Sequence, residues 1–181
     1  MPEIDLTTDY FTLFKLPLVY RLKRSELDCR YQSLQRQVHP DRYAAADERE
    51  QLHAVQAASQ VNNAYQTLRN PLRRAIYMLQ LAGIDPVDHA AGVSPEFLAE
   101  QIELREQLAE AHQASHPATE FSKLKAHAEA CSNRLYDELN VLFENNDFNE
   151  AVGAVQKLQF YQKLQHDADE RLLLLETEGL Q

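Results

Sequence analysis

Apolar side chains recur three and four residues apart along almost the whole chain, and this spacing is typical of one face of an α-helix. A clear example is the set Leu27, Tyr31, Leu34 and Val38. No segment alternates polar and apolar residues over a useful length. Only four of the 181 residues are glycine, which leaves little material for tight β-turns. The pattern therefore predicts an all-α protein.

Proline and capping residues mark the ends of the predicted helices. Ser25 and Asp28 resemble a capping box at the start of the first long helix. Pro40 ends that helix, because a proline disfavours helical geometry in the residue before it. A second long helix is expected to turn five apolar side chains to one side: Leu52, Val55, Val61, Tyr65 and Leu68.

A change of pattern near residue 90 divides the chain. Residues 84–94 lack periodicity, and they follow Gly83, which ends a helix that begins after the cap residue Asn70. We expect an N-terminal domain of residues 1–83, a linker of residues 84–94 and a C-terminal domain of residues 95–181. The last of these contains three helical segments with short connections, which predicts an antiparallel three-helix bundle.

The charge is divided unevenly between the two parts. Residues 1–83 contain eleven Lys/Arg and nine Asp/Glu, a net charge of +2, whereas residues 84–181 contain seven Lys/Arg and nineteen Asp/Glu, a net charge of −12. Nucleic-acid binding needs a broad basic surface, so the composition argues against it. The longest apolar run, Leu172–Leu175, is far too short for a membrane span.

The number and spacing of the two cysteines indicate the redox state of the cellular compartment. Cys29 and Cys131 are too far apart in sequence for a CxxC zinc motif, and two cysteines do not make a disulfide framework. Their helical positions beside apolar stripes predict buried, inert thiols. Together with an N-terminus that has no apolar signal region, they favour a reducing, cytoplasmic location.

A His39-Pro40-Asp41 triplet follows the first long helix, which carries several cations. Proline stiffens the loop, and the Asp41 carboxylate can bind a partner arginine in bidentate fashion. Arg36 precedes the triplet by about one helical turn and Arg42 follows it directly. These residues predict a preorganised recognition loop, although the triplet could also simply end a helix.

Two further segments support recognition over a simple helix end. DYFTLFKLP at 9–17 and AYQTLRNPLRRAIY at 64–77 resemble the first helix and the end of a J-domain (DnaJ-like), with the triplet between its second and third helices. The resemblance implies that this domain binds the ATPase domain of a 70-kDa heat-shock-type chaperone. Arg42 stands where relatives usually have lysine. The implied contact residues are Arg36, His39, Pro40, Asp41 and Arg42.

The helix after residue 94 has two apolar arcs when its residues are turned through helical steps of about 100°. Phe97, Leu104, Leu108 and Ala111 form the expected core arc. The second arc contains Leu98 and Ile102 and is rimmed by carboxylates, which is typical of a partner interface. In a three-helix bundle a double stripe can equally be core. Phe160, on the last helix, lies off that helix's main stripe and is either exposed or in contact with another element.

PEFLAEQIELREQLAE at 95–110 and QKLQFYQKL at 156–164 resemble the C-terminal domain of the HscB family, J-protein co-chaperones of iron–sulfur cluster assembly. That resemblance covers about residues 9–175. It implies binding of the scaffold protein IscU and its delivery to the chaperone HscA. The implied scaffold-binding residues are Leu98, Ala99, Ile102, Glu103, Arg105, Glu106 and Phe160.

The remaining chemistry-bearing residues do not assemble into a convincing site in the sequence. His112 and His116 are spaced to share a helix face as metal ligands, but no third ligand is evident. No nucleophile, base and orienting group occur together, so we expect neither an enzyme nor a bound metal or cofactor. Two alternatives remain open: a J-protein that serves another client, and a metal-binding helical-bundle protein.

Overall fold

A computed structural model describes residue 5 and residues 7–86 and 94–178. All regular structure in these ranges is helical, with no strand, which confirms the predicted all-α class. Most of the predicted linker, residues 87–93, lies outside the described ranges. The helices are α1 (Tyr10–Leu13), α2 (Arg24–Val38), α3 (Glu48–Arg69), α4 (Pro71–Leu81), α5 (Pro95–Glu110), α6 (Pro117–Asn145) and α7 (Phe148–Glu178).

The chain divides into two compact units, Met1–Met78 and Leu79–Gln181. In the first unit α2 and α3 pack against each other as a helical hairpin, and α1 packs on α3. Phe11 and Phe14 place two fully buried rings in this unit. Asp9 caps α1 by accepting the backbone N–H groups of Phe11 and Thr12, so the short helix is anchored at its start.

The first helix of this hairpin begins differently from the sequence prediction. Ser25 is not a cap, because α2 already begins at Arg24 and the Lys23 carbonyl accepts the first helical N–H groups. Asp28 forms no capping box. Its carboxylate instead accepts a hydrogen bond from Arg24 Nε at 2.9 Å and another from the Tyr65 hydroxyl at 2.8 Å. These two hydrogen bonds, one of which is charge-assisted, stabilise the Asp28 carboxylate more than a single backbone N–H at a capping position would.

The buried face of α3 agrees with the prediction at Val61, Tyr65 and Leu68 and differs from it near the start of the helix. Leu52 and Val55 were expected in the core, but they are 60% and 53% exposed. Ala54 and Ala57 occupy the buried positions in this part of the helix instead. The buried residues of α3 are Ala54, Ala57, Val61, Ala64, Tyr65 and Leu68, spaced mainly three and four apart.

The predicted ends of α4 and the start of α5 are confirmed. The Asn70 side chain accepts the Arg73 N–H at 3.0 Å, and the Ser94 hydroxyl accepts the Phe97 N–H at 3.3 Å. After α4, Gly83 adopts a φ of +78°, and the Ile84 N–H returns to the Leu79 carbonyl at 2.9 Å. This is the left-handed helix termination that favours glycine.

In the second unit α6 and α7 form a long antiparallel hairpin, and α5 contacts both of them. Asn146 makes the turn between α6 and α7 in the left-handed region, with a φ of +61°. The predicted core arc of α5 is confirmed at Phe97, Leu104 and Ala111, which are buried, whereas Leu108 is half-buried. Three helices therefore enclose the core of this unit.

The two cysteines have different surroundings. Cys131 is buried on α6, as predicted, but Cys29 is exposed on α2 because the stripe of that helix passes through Leu27 instead. None of the helices within the described residues is both long enough and apolar enough to cross a membrane.

Candidate functional site

The His39-Pro40-Asp41 triplet occupies the connection between α2 and α3. His39 is the C-cap residue that follows α2, and Pro40 begins a short 3-10 helix of residues Pro40–Tyr43. Val38, immediately before the triplet, is buried and fixes the end of α2 in the core of the unit. The triplet thus lies in the loop that joins the two helices of the hairpin, and this loop has defined geometry.

The histidine and aspartate of the triplet interact locally but remain accessible. The Asp41 backbone N–H donates to Nδ1 of His39 at 3.3 Å, so the neutral ring carries its proton on Nε2. The Asp41 side chain is 89% exposed. The loop consequently offers an outward carboxylate and an imidazole N–H donor side by side.

Three side chains hold the loop against the helices. The Tyr43 hydroxyl donates to the Gln37 carbonyl at 3.0 Å, and Arg42 Nη1 donates to the Arg36 carbonyl at 3.1 Å, so both reach back to the end of α2. From α3, Gln51 Nε2 donates to the Ala44 and Ala46 carbonyls at 3.3 and 2.9 Å. Tyr43 and Gln51 were not foreseen, because a tyrosine and a glutamine in a polar stretch give no periodic signal.

The two predicted arginines of the loop lie beside the triplet. Arg36 Nε donates to the Gln32 carbonyl, and Arg42 also binds a carbonyl, so neither guanidinium is paired with a carboxylate of the described residues. Arg24 and Arg30, further back on α2, each pair with an acidic side chain of the same helix. Arg36 and Arg42 therefore keep their charge available to a partner beside the triplet.

The second predicted surface lies on α5, and its residues face solvent. Leu98 and Ile102 are large apolar side chains that remain exposed, one turn apart. The structure therefore favours the surface interpretation of this arc over the core interpretation. Ala99, Glu103, Arg105 and Glu106 are also exposed around them. The result is an apolar stripe with a mostly acidic border, which we call the α5 face.

Phe160 does not belong to the exposed part of this surface. Its side chain is only 8% exposed. Its ring meets Phe97 edge to face, with centroids 5.6 Å apart, and the Arg105 guanidinium lies 5.5 Å from its centroid. Of the two sequence alternatives, contact with another element is correct. The Phe160 ring therefore packs against Phe97 and Arg105 of α5.

A polar cluster fixes α5 to the other two helices on a different side. The Tyr161 hydroxyl donates to Glu100 Oε1 at 2.7 Å. His127 lies 3.7 Å from the same oxygen, and Cys131 Sγ lies 3.1 Å from Arg134 Nη2. Burial, followed by the hydrogen bond to Glu100, raises the pKa of Tyr161 well above its usual range, so the phenol stays protonated as a donor.

The predicted histidine pair does not share one helix face. His112 lies in a short 3-10 helix, Ala111–Gln113, whereas His116 immediately precedes α6. Both side chains are exposed. The break between the two elements removes the i, i+4 relation on which a metal site had depended, and among the described residues no cluster of three metal-ligating side chains forms.

A helical hairpin that presents an anchored His-Pro-Asp loop, joined in one chain to a three-helix unit, defines a co-chaperone of the J-protein type. The family model of the HSCB C-terminal oligomerisation domain matches residues 93–169. Two co-chaperone HscB homologues, from Aromatoleum aromaticum and an Azoarcus species, are 42% and 39% identical over 97% and 96% of the chain and 99% of their own lengths.

Solved structures agree with the sequence relatives. The chaperone HscB from Vibrio cholerae is 36% identical with a TM-score of 0.84, over 93% of this chain and 99% of that one. The human co-chaperone HscB is 31% identical with a TM-score of 0.83, over 92% of this chain and 83% of that one. The chain belongs to the HscB family of co-chaperones.

Proposed function

We propose that this protein binds an IscU-type iron–sulfur scaffold, delivers it to an HscA-type 70-kDa chaperone and stimulates ATP hydrolysis by that chaperone. The observation that carries the proposal is the anchored His39-Pro40-Asp41 loop, beside which Arg36 and Arg42 bind backbone carbonyls and no carboxylate of the described residues. Family membership supports the co-chaperone role. The protein supplies no catalytic group of its own, and its cytoplasmic location stays a prediction.

On the chaperone side the loop acts by binding one state of its partner better than the other. Asp41 presents a carboxylate that an arginine of the chaperone can grip, and His39 presents an N–H donor. Arg36 and Arg42 add charge for a carboxylate-bearing surface. Because a ligand shifts an equilibrium only by its differential affinity, these contacts must be stronger in the hydrolysis-competent state.

On the scaffold side the α5 face supplies the contact. Leu98 and Ile102 offer apolar area to bury, and Glu103 and Glu106 favour a partner with cationic side chains near an apolar spot. Phe160 contributes by holding Arg105 in place from beneath. One chain that binds both proteins raises the effective concentration of scaffold at the chaperone without any new chemistry.

His39→Gln tests the chaperone contact. We expect the variant to lose stimulation of the chaperone's steady-state ATPase, because a flexible amide replaces the imidazole whose Nδ1 accepts the Asp41 N–H and whose ring orients the donor. Helicity by circular dichroism and affinity for the scaffold should not change, since the side chain is exposed and lies on the loop. His112→Gln, which removes an exposed imidazole from the other unit, is the matched control. Full stimulation by His39→Gln would contradict the proposal.

A further inference from the structure

The outward side of α3 carries two large apolar residues that its own unit does not use. Leu52 and Val55 are more than half exposed, at 60% and 53%. At about 100° per residue they lie nearly opposite the buried positions Ala57 and Ala64. No rearrangement of side chains alone can therefore bring them into the core of the hairpin. We call this pair the α3 patch.

The patch is confined to one end of the helix. Further along the same outward stripe, α3 carries Ser59, Asn62 and Gln66, all polar and exposed. The apolar part of the outward stripe is therefore limited to Leu52 and Val55. The apolar pair occurs only in the first two turns, at the end where the His-Pro-Asp loop joins the helix.

Contacts in the structure connect the patch to that loop. Gln51, which immediately precedes Leu52, donates hydrogen bonds to the carbonyls of Ala44 and Ala46. The Asp47 carboxylate caps α3 by accepting the Glu50 N–H at 2.8 Å. These bonds hold the connection between the triplet and α3 against the first turn of α3, which directly precedes the patch.

We propose that the α3 patch is a second contact with the 70-kDa chaperone, in which Leu52 and Val55 insert against an apolar surface beside the site that receives the His-Pro-Asp loop. The inference rests on the proposed function. In this proposal the loop makes the polar contacts that select one state of the chaperone. The patch buries apolar area against the chaperone and so strengthens binding.

The test compares Leu52→Gln/Val55→Gln with the unaltered chain in titrations of chaperone ATPase. Loss of two buried apolar side chains should raise the concentration for half-maximal stimulation by roughly tenfold or more. The maximal stimulation at saturation should be nearly retained, because the loop is intact. Helicity and the thermal midpoint should not fall, since both positions are exposed and glutamine favours helix.

Leu173→Gln/Leu174→Gln is the matched control, because it removes an equally exposed apolar pair, 61% and 51%, from α7 of the other unit. It should titrate like the unaltered chain.

If the α3 variant also titrates like the unaltered chain while His39→Gln is inactive, the patch proposal is wrong and the proposed function stands. If the unaltered chain gives no stimulation, both are wrong. Sedimentation that shows a dimer broken only by the α3 variant would also overturn the proposal in favour of self-association.

Discussion

Asp28 shows how much a single residue's role depends on what lies across from it. In the sequence it resembles part of a capping box, whereas in the structure it joins α2 to α3 by accepting the Tyr65 hydroxyl and Arg24. The rings of Tyr31 and Tyr65 stack beside it with centroids 4.0 Å apart. The hydrogen bond from Tyr65, followed by the effect of Arg24, lowers the pKa of Asp28 below its usual value.

This shift predicts the direction of a pH effect. A carboxylate with a lower pKa in the folded state stabilises the fold above its unfolded pKa of about 3.9, and that contribution is lost as the pH falls through the folded value. Asp28→Asn should therefore be less stable than the unaltered chain at pH 6, and the difference should shrink towards pH 3. Urea unfolding followed by circular dichroism measures it.

Glu106→Gln, which removes an exposed carboxylate from α5, is the control for the general effect of charge removal. It should reduce stability at pH 6 far less than Asp28→Asn does. A constant difference between Asp28→Asn and the unaltered chain from pH 6 to pH 3 would show that the Asp28 carboxylate does not stabilise the fold through its charge.

At the scale of elements, the sequence predicts helices that have strong local signals. Asn70, Ser94 and Gly83 mark helix ends correctly, because capping and left-handed geometry depend on neighbouring residues only. The core arc of α5 is predictable at Phe97, Leu104 and Ala111, whereas periodicity alone leaves open whether Leu98 and Ile102 belong to the core or the surface. Local signals therefore give the class of fold and one of the two arcs of α5.

Helix α3 and Phe160 show where local signals are not sufficient. In the first half of α3 the buried side is marked by Ala54 and Ala57, and alanine occurs on either side of a helix, so the larger Leu52 and Val55 suggested the wrong face there. Phe160 is buried by Phe97 and Arg105 of a different helix. Neither outcome follows from the periodicity of one segment, because each depends on the helix that packs against it.

The α5 face yields a prediction that separates binding from stability. Leu98→Gln/Ile102→Gln should weaken scaffold affinity by roughly tenfold or more, because apolar burial at the contact is lost, without lowering the thermal midpoint. Phe160→Ala should instead destabilise the second unit by about 3 kcal/mol, since a nearly buried ring is removed. Calorimetry with the scaffold, together with thermal unfolding, distinguishes the two effects. Unchanged affinity in the double variant would refute the role assigned to the α5 face.

At the scale of the whole molecule, the chain combines two units with opposite net charges. Contacts divide it within α4, between Met78 and Leu79, while the boundaries 1–83, 84–94 and 95–181 stay predictions from composition. The first unit presents the loop and its arginines, and the second presents the acidic α5 face. A chain with two binding surfaces can hold two partner proteins close together, and this effect requires no catalytic residue.

The most direct measurement of this central claim is steady-state ATP hydrolysis by an HscA-type chaperone, with the protein and an IscU-type scaffold added separately and together. We predict stimulation by the protein alone and a larger stimulation when the scaffold is present, with both lost in His39→Gln. Stimulation that the scaffold does not change would contradict scaffold delivery, and no stimulation by the folded protein would contradict the chaperone contact as well.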